Sequence, residues 1–159
     1  MNKRDVMALM RGQGATEYLV LLAVVLIVAL VAVTLLGFFP GIAPDVKITQ
    51  SQTYWRGQVR PFAILETSIV GSTGVGIFVI QNMEANGPYR LTTFAVGNGT
   101  NDSLAVDFAA GETKTIGIIT NTGTAGALYD LNVTMIYTTP AGINNTRQYG
   151  TKNLIGKYG

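Results

Sequence analysis

The sequence predicts an α+β protein: a long N-terminal hydrophobic α-helix followed by a C-terminal antiparallel β-sandwich or barrel-like domain. Three observations carry this. From Tyr18 to Phe39, 20 of 22 residues are apolar, Thr34 and Gly37 being the exceptions, and no proline interrupts the run before Pro40. From Val46 onward the hydrophobic period changes to two, punctuated by Gly, Asn and Pro clusters. No second helical period and no internal repeat follows.

The elements can be justified in order. Residues 1–12 form a short basic peptide, with Lys3, Arg4 and Arg11 against Asp5. Residues 13–39 read as one helix with a polar entrance from Gln13 to Glu17. At about 1.5 Å per residue, 22 residues span about 33 Å, enough for a hydrocarbon core of about 30 Å. In lipid every backbone N–H and C=O must be paired within the segment, so such a run is helical despite its valines. Residues 40–45 are a connector broken by Pro40 and Pro44. Residues 46–159 form the β domain. Its candidate strands are Val46–Thr53, Val59–Thr67, Gly76–Asn82, Tyr89–Val96, Leu104–Phe108, Glu112–Thr120, Leu128–Thr139 and Arg147–Ile155. Turn clusters such as Glu84–Pro88, Gly97–Asp102 and Pro140–Asn145 separate them. In Leu128–Thr139 the alternation places Tyr129, Leu131, Val133, Met135 and Tyr137 toward the core, and Asp130, Asn132 and Thr134 outward. Val75–Ile80 is apolar on both faces and needs cover on both, from its own domain or from another subunit.

Composition narrows the function. The chain of 159 residues has no Cys and no His, which removes disulfides, thiolate metal sites and the commonest general base. The net charge of +2 belongs to residues 1–12; the remainder carries eight residues of each sign. That end is held in the cytoplasm by the positive-inside rule, and no basic patch suggests nucleic acid as a partner. From Gly41 onward only 15 of 119 residues are charged. Such a surface suits packing against copies of itself, a glycan coat, or both. The acidic residues are scattered, with no nucleophile motif, base or phosphate loop beside them. We therefore expect a non-enzymatic protein without cofactor or metal. The tyrosines at 129, 137, 149 and 158 read as core and edge packing.

The junction Arg11-Gly12-Gln13-Gly14-Ala15-Thr16-Glu17, leading into the apolar run, resembles the class III signal of archaeal type IV pilins, and within that family the adhesion pilins. The resemblance covers residues 1 to about 40. It implies cleavage between Gly12 and Gln13 by a prepilin peptidase at the membrane face, so that the helix stays in the mature chain. It implies that Glu17 helps subunits register during assembly. It further implies a precursor in the cytoplasmic membrane, then an extracellular helical homopolymer built by an assembly ATPase and membrane platform and used for adhesion. The competing expectation is a monomeric, membrane-anchored archaeal surface binding protein with the same signal. Four N-x-[ST] sequons, at Asn98, Asn101, Asn132 and Asn144, are candidate glycosylation sites.

Overall fold

A computed structural model describes residues 3–35 and 42–159, with side chains given for 14–35 and 44–159. The chain divides into two compact units, Met1–Ala43 and Pro44–Gly159. As expected, an N-terminal apolar helix is followed by antiparallel sheets, an α+β arrangement.

The first unit holds helix α1, Lys3–Leu35. It starts ten residues before the expected entrance, so the basic peptide is continuous with the apolar helix. Met, Ala, Leu, Lys and Arg before Gly12 are good helix formers, and Gly12 and Gly14 cost only about 1 kcal/mol each. The expected end at 36–39 lies outside the described residues, as do Pro40 and Gly41 of the connector.

Helix α2, Ile42–Gly57, begins in the last two residues of the first unit and otherwise belongs to the second. This overturns two expectations: Val46–Thr53 is not a strand, and Ile42–Asp45 belong to a helix rather than a connector. Pro44 sits in the first turn, where no N–H is needed from it. The inward stripe is Pro44, Ile48, Ser51 and Trp55, at helical spacing, with Ser51 and Trp55 buried. The short alternation at Val46 and Ile48 fits a strand equally well. Burial of Trp55 against the sheets settles the choice.

Ten strands follow among the described residues: β1 Phe62–Ile69, β2 Val75–Asn82, β3 Tyr89–Val96, β4 Gly99–Asn101, β5 Val106–Phe108, β6 Thr113–Ile119, β7 Leu128–Leu131, β8 Val133–Thr138, β9 Thr146–Tyr149 and β10 Leu154–Lys157. One sheet has the order β1-β2-β6 and a second β4-β3-β8-β9 with β5 also on β3; β7 and β10 form a ribbon. All the ladders are antiparallel. The two larger sheets pack through their inner faces, where Phe78 of β2 meets Phe94 of β3 edge to face at 5.0 Å. Phe62, Ile80, Leu91, Phe108 and Met135 complete a core with no exposure.

Two long expected strands are each split between sheets. The segment 128–139 keeps its alternation, and Tyr129, Leu131, Val133, Met135 and Tyr137 are all buried. At Asn132, whose carbonyl accepts the Gly97 N–H at 2.9 Å, it leaves β10 as partner and joins β3 and β9. The segment 147–155 breaks at Gly150–Asn153. The ring of Trp55 lies where a Gly150 side chain would be, and Tyr54 Oη accepts the Thr151 N–H at 2.8 Å. The expected turn at 97–102 contains β4. Its two-residue loop is Gly97-Asn98, with Gly97 at φ 59°, between the paired Val96 and Gly99.

Side chains substitute for strands at the open edges. The Gln148 amide clamps the Phe62 backbone, accepting its N–H at 3.0 Å and donating to its carbonyl at 2.7 Å. Ser51 Oγ bridges the β10 edge, donating to the Asn153 carbonyl and accepting the Ile155 N–H. Arg56 Nε donates to the Leu65 carbonyl on β1. Helix α2 thus fills the gap where β1 and β10 part.

Candidate assembly and modification sites

Helix α1 carries the first candidate site. Gly14–Leu35, 22 residues, is long and apolar enough to cross a membrane, with mean hydropathy 3.1 over its most apolar 18-residue stretch, and none of its residues is buried. It is apolar on every side. Thr34, its one polar residue beyond Glu17, returns its hydroxyl to the Val31 carbonyl at 2.8 Å. This helix can anchor in a membrane or act as a signal sequence. Gly12 and Gln13 lie within the helical backbone of α1; their side-chain environment lies outside the described residues. Glu17 is exposed, on the same face as Val20 and Leu21 at i+3 and i+4. Were the helix to span a membrane, a carboxylate at this depth would need solvation at the headgroups or a partner.

The sequons are the second. All four lie at strand ends or loops, and three are exposed. Asn98 and Asn132 leave their carboxamides without a hydrogen bond among the described residues. Asn101 is half-buried, and its Oδ1 accepts the Ser103 N–H at 3.3 Å. Asn144 Oδ1 accepts the Thr138 hydroxyl at 2.8 Å. In all four sequons Nδ2, the atom to which a glycan would attach, makes no hydrogen bond among the described residues.

The third feature is the outer face of β1-β2-β6. Register places Val75 beside Ile119, Ile77 beside Gly117 and Val79 beside Thr115, with Glu66 next to Val79 on β1. Ile77 is 50% exposed and Ile119 69%. Gly117 leaves a shallow groove of about 480 Å³ bounded by Val75, Ile119 and Thr100–Asp102. The two-faced hydrophobicity of β2 is legible in sequence. Ile119 carries no such signal in the sequence, because only the β2–β6 register brings it beside Val75. No layer of this domain covers the face.

Four exposed ion pairs lie elsewhere among the described residues. Arg90 grips Asp107 at 2.7 and 2.8 Å, and this hydrogen bonding holds the Asp107 carboxyl below its usual range. Glu112 is lowered first by the Ala109 N–H it accepts and then by Lys114. Burial pushes the Tyr129 hydroxyl up to about 12. A cleft of about 290 Å³ between α2, β1 and β10 is lined by Trp55, Arg56, Glu66 and Tyr129. No nucleophile and base meet there. Among the described residues no three His, Cys, Asp or Glu cluster as metal ligands.

Comparison with family models, with curated proteins and with solved structures finds no match to this chain.

Proposed function

We propose that this chain is the structural subunit of an extracellular archaeal type IV pilus: inserted in the cytoplasmic membrane, processed between Gly12 and Gln13 by a prepilin peptidase, and polymerised through its helix. The observation that carries the reading is helix α1, apolar on all sides and exposed throughout Gly14–Leu35. So much apolar surface must be covered by lipid or by other copies. The domain from Pro44 onward has a hydrophobic core of its own. Lipid gives little drive for helix association, so an assembly ATPase acting through a membrane platform moves the helix from bilayer to bundle. Adhesion is the role of the finished filament.

The helical backbone across Gly12 and Gln13 bears on processing. A peptidase needs an extended strand, so the precursor must unwind here, and Gly12 and Gly14 lower the cost of doing so. Gly12→Val should block cleavage and leave precursor in the membrane. Glu17→Ala should leave the β domain folded and lower filament yield. Shear the cell surface, image the released material and take its intact mass: filaments of a chain beginning at Gln13 are expected. A surface protein beginning at Met1, or one recovered only as a detergent-soluble monomer, refutes the proposal and favours the membrane-anchored binding protein.

A further inference from the structure

We propose that the two outer faces of the β domain bind each other in successive copies, the β1-β2-β6 face of one subunit seating on the β3-β8-β9 face of the next. The inference rests on the filament reading and names the contact between neighbouring globular domains.

The faces are unlike and complementary. The first presents Val75, Ile77, Val79 and Ile119, with Gly117 as a depression, Glu66 as a charged group on the strands and Asp102 at the rim of the groove. The second presents Ala95, Thr134, Ile136 and Tyr149, with Arg147 beside Ile136. Neither Glu66 nor Arg147 has an ion-pair partner among the described residues, whereas Arg60, Arg90, Lys114 and Lys157 each do. Arg147 spends one N–H on Tyr149 Oη at 3.1 Å and keeps the rest. Stacking unlike faces brings an anion against a cation. Stacking like faces puts two Glu66 carboxylates, or two Arg147 guanidiniums, into one interface without an unpaired opposite charge to meet them. Charge therefore selects the unlike pairing, fixing orientation more than affinity.

An interface between unlike faces of one chain is heterologous. Unless its rotation closes a ring, it continues into an open array. Asn98, Asn132 and Asn144 lie at strand ends or in loops, away from the centres of β2, β6 and β8, and leave it room; Asn101 lines the groove beside Gly117, so the contact requires that sequon to carry no glycan.

Size sets when the contact forms. Strands of eight, eight and seven residues on the β1-β2-β6 face project roughly 360 Å² per partner, about 720 Å² in all. A stable free-standing interface buries at least about 1,000 Å². Alone, then, the domains stay apart. Held side by side by bundled helices, the second contact becomes intramolecular and forms at high effective concentration.

The chain has no cysteine, so introduced ones report without background. Filaments carrying both Ile77→Cys and Tyr149→Cys, treated with a short bis-maleimide, should give a ladder of multimers. Each single variant should give monomer, and the double variant as dilute detergent monomers should not cross-link. Dimers from Ile77→Cys alone would mean like-face stacking and overturn the proposal. So would filaments of the double variant that yield no ladder. A second arm avoids cysteine: Glu66→Arg should lower filament yield severalfold, and adding Arg147→Glu should restore it; no restoration overturns the charge argument. Failure of the unmodified chain to form filaments removes the polymer reading itself, a different result from filaments without the cross-link.

Discussion

Gly150→Ala tests how helix α2 is locked to the sheets. Trp55, the only tryptophan, is 1% exposed, and its ring edge occupies the space a side chain at Gly150 would need. The added methyl would overlap Cζ2 and Cη2 of the indole well inside van der Waals contact. Overpacking of this kind costs about 1–3 kcal/mol. Urea slopes for small domains are about 1–3 kcal/mol/M, so the unfolding midpoint should fall by about 1 M. Trp55→Phe gives the control. The smaller ring withdraws from Gly150 and removes the indole N–H, which is buried without a hydrogen-bond partner. An unsatisfied buried donor costs about 1–3 kcal/mol, which offsets part of the lost packing. In the Trp55→Phe background Gly150→Ala should therefore cost far less, with a coupling of about 1–2 kcal/mol between the two sites. The assay is urea unfolding of all four full-length proteins in detergent, followed by circular dichroism. Trp55 emission should also move to the red in Gly150→Ala alone. Equal cost of Gly150→Ala in both backgrounds would refute the argument, because the glycine would then matter through its backbone and not through the indole.

Two further perturbations follow from the domain. Val133→Asp puts an unpaired carboxylate into the apolar core and should unfold the β domain, while Asn132→Gln should remove glycan mass and leave the fold; a harmless Val133→Asp with a destabilising Asn132→Gln would mean that the strand faces outward where we place it inward. The buried Tyr129 hydroxyl, raised to about 12, keeps its proton in the folded state after the unfolded chain has lost it near pH 10. Its contribution is therefore whole below about pH 10 and is lost as pH rises through about 12, a fall tending to roughly 2–3 kcal/mol. Urea midpoints compared at about pH 9 and about pH 11.5 should show a smaller drop in Tyr129→Phe than in the parent, and equal drops would exclude Tyr129 as the cause.

Much was legible in the chain because it depends on local chemistry. A run of 22 residues with two polar members can be little other than a helix seeking lipid or protein. The alternation from Tyr129 to Tyr137 assigned five core residues correctly because period two is a property of the strand itself. What the sequence could not decide is which partner each segment takes. Val46–Thr53 supports a strand or a helix by local pattern; burial of Trp55 and the bridging of Asn153 and Ile155 by Ser51 make it a helix. The breaks at Asn132 and Gly150 leave no mark in the hydrophobic period, since a strand that changes sheets keeps its alternation while changing neighbours. The apolar face of β2 was visible as a pattern. That Ile119 extends it, and that Glu66 and Arg147 mark opposite outer faces, follows from registers between residues dozens of positions apart, which only the tertiary structure sets.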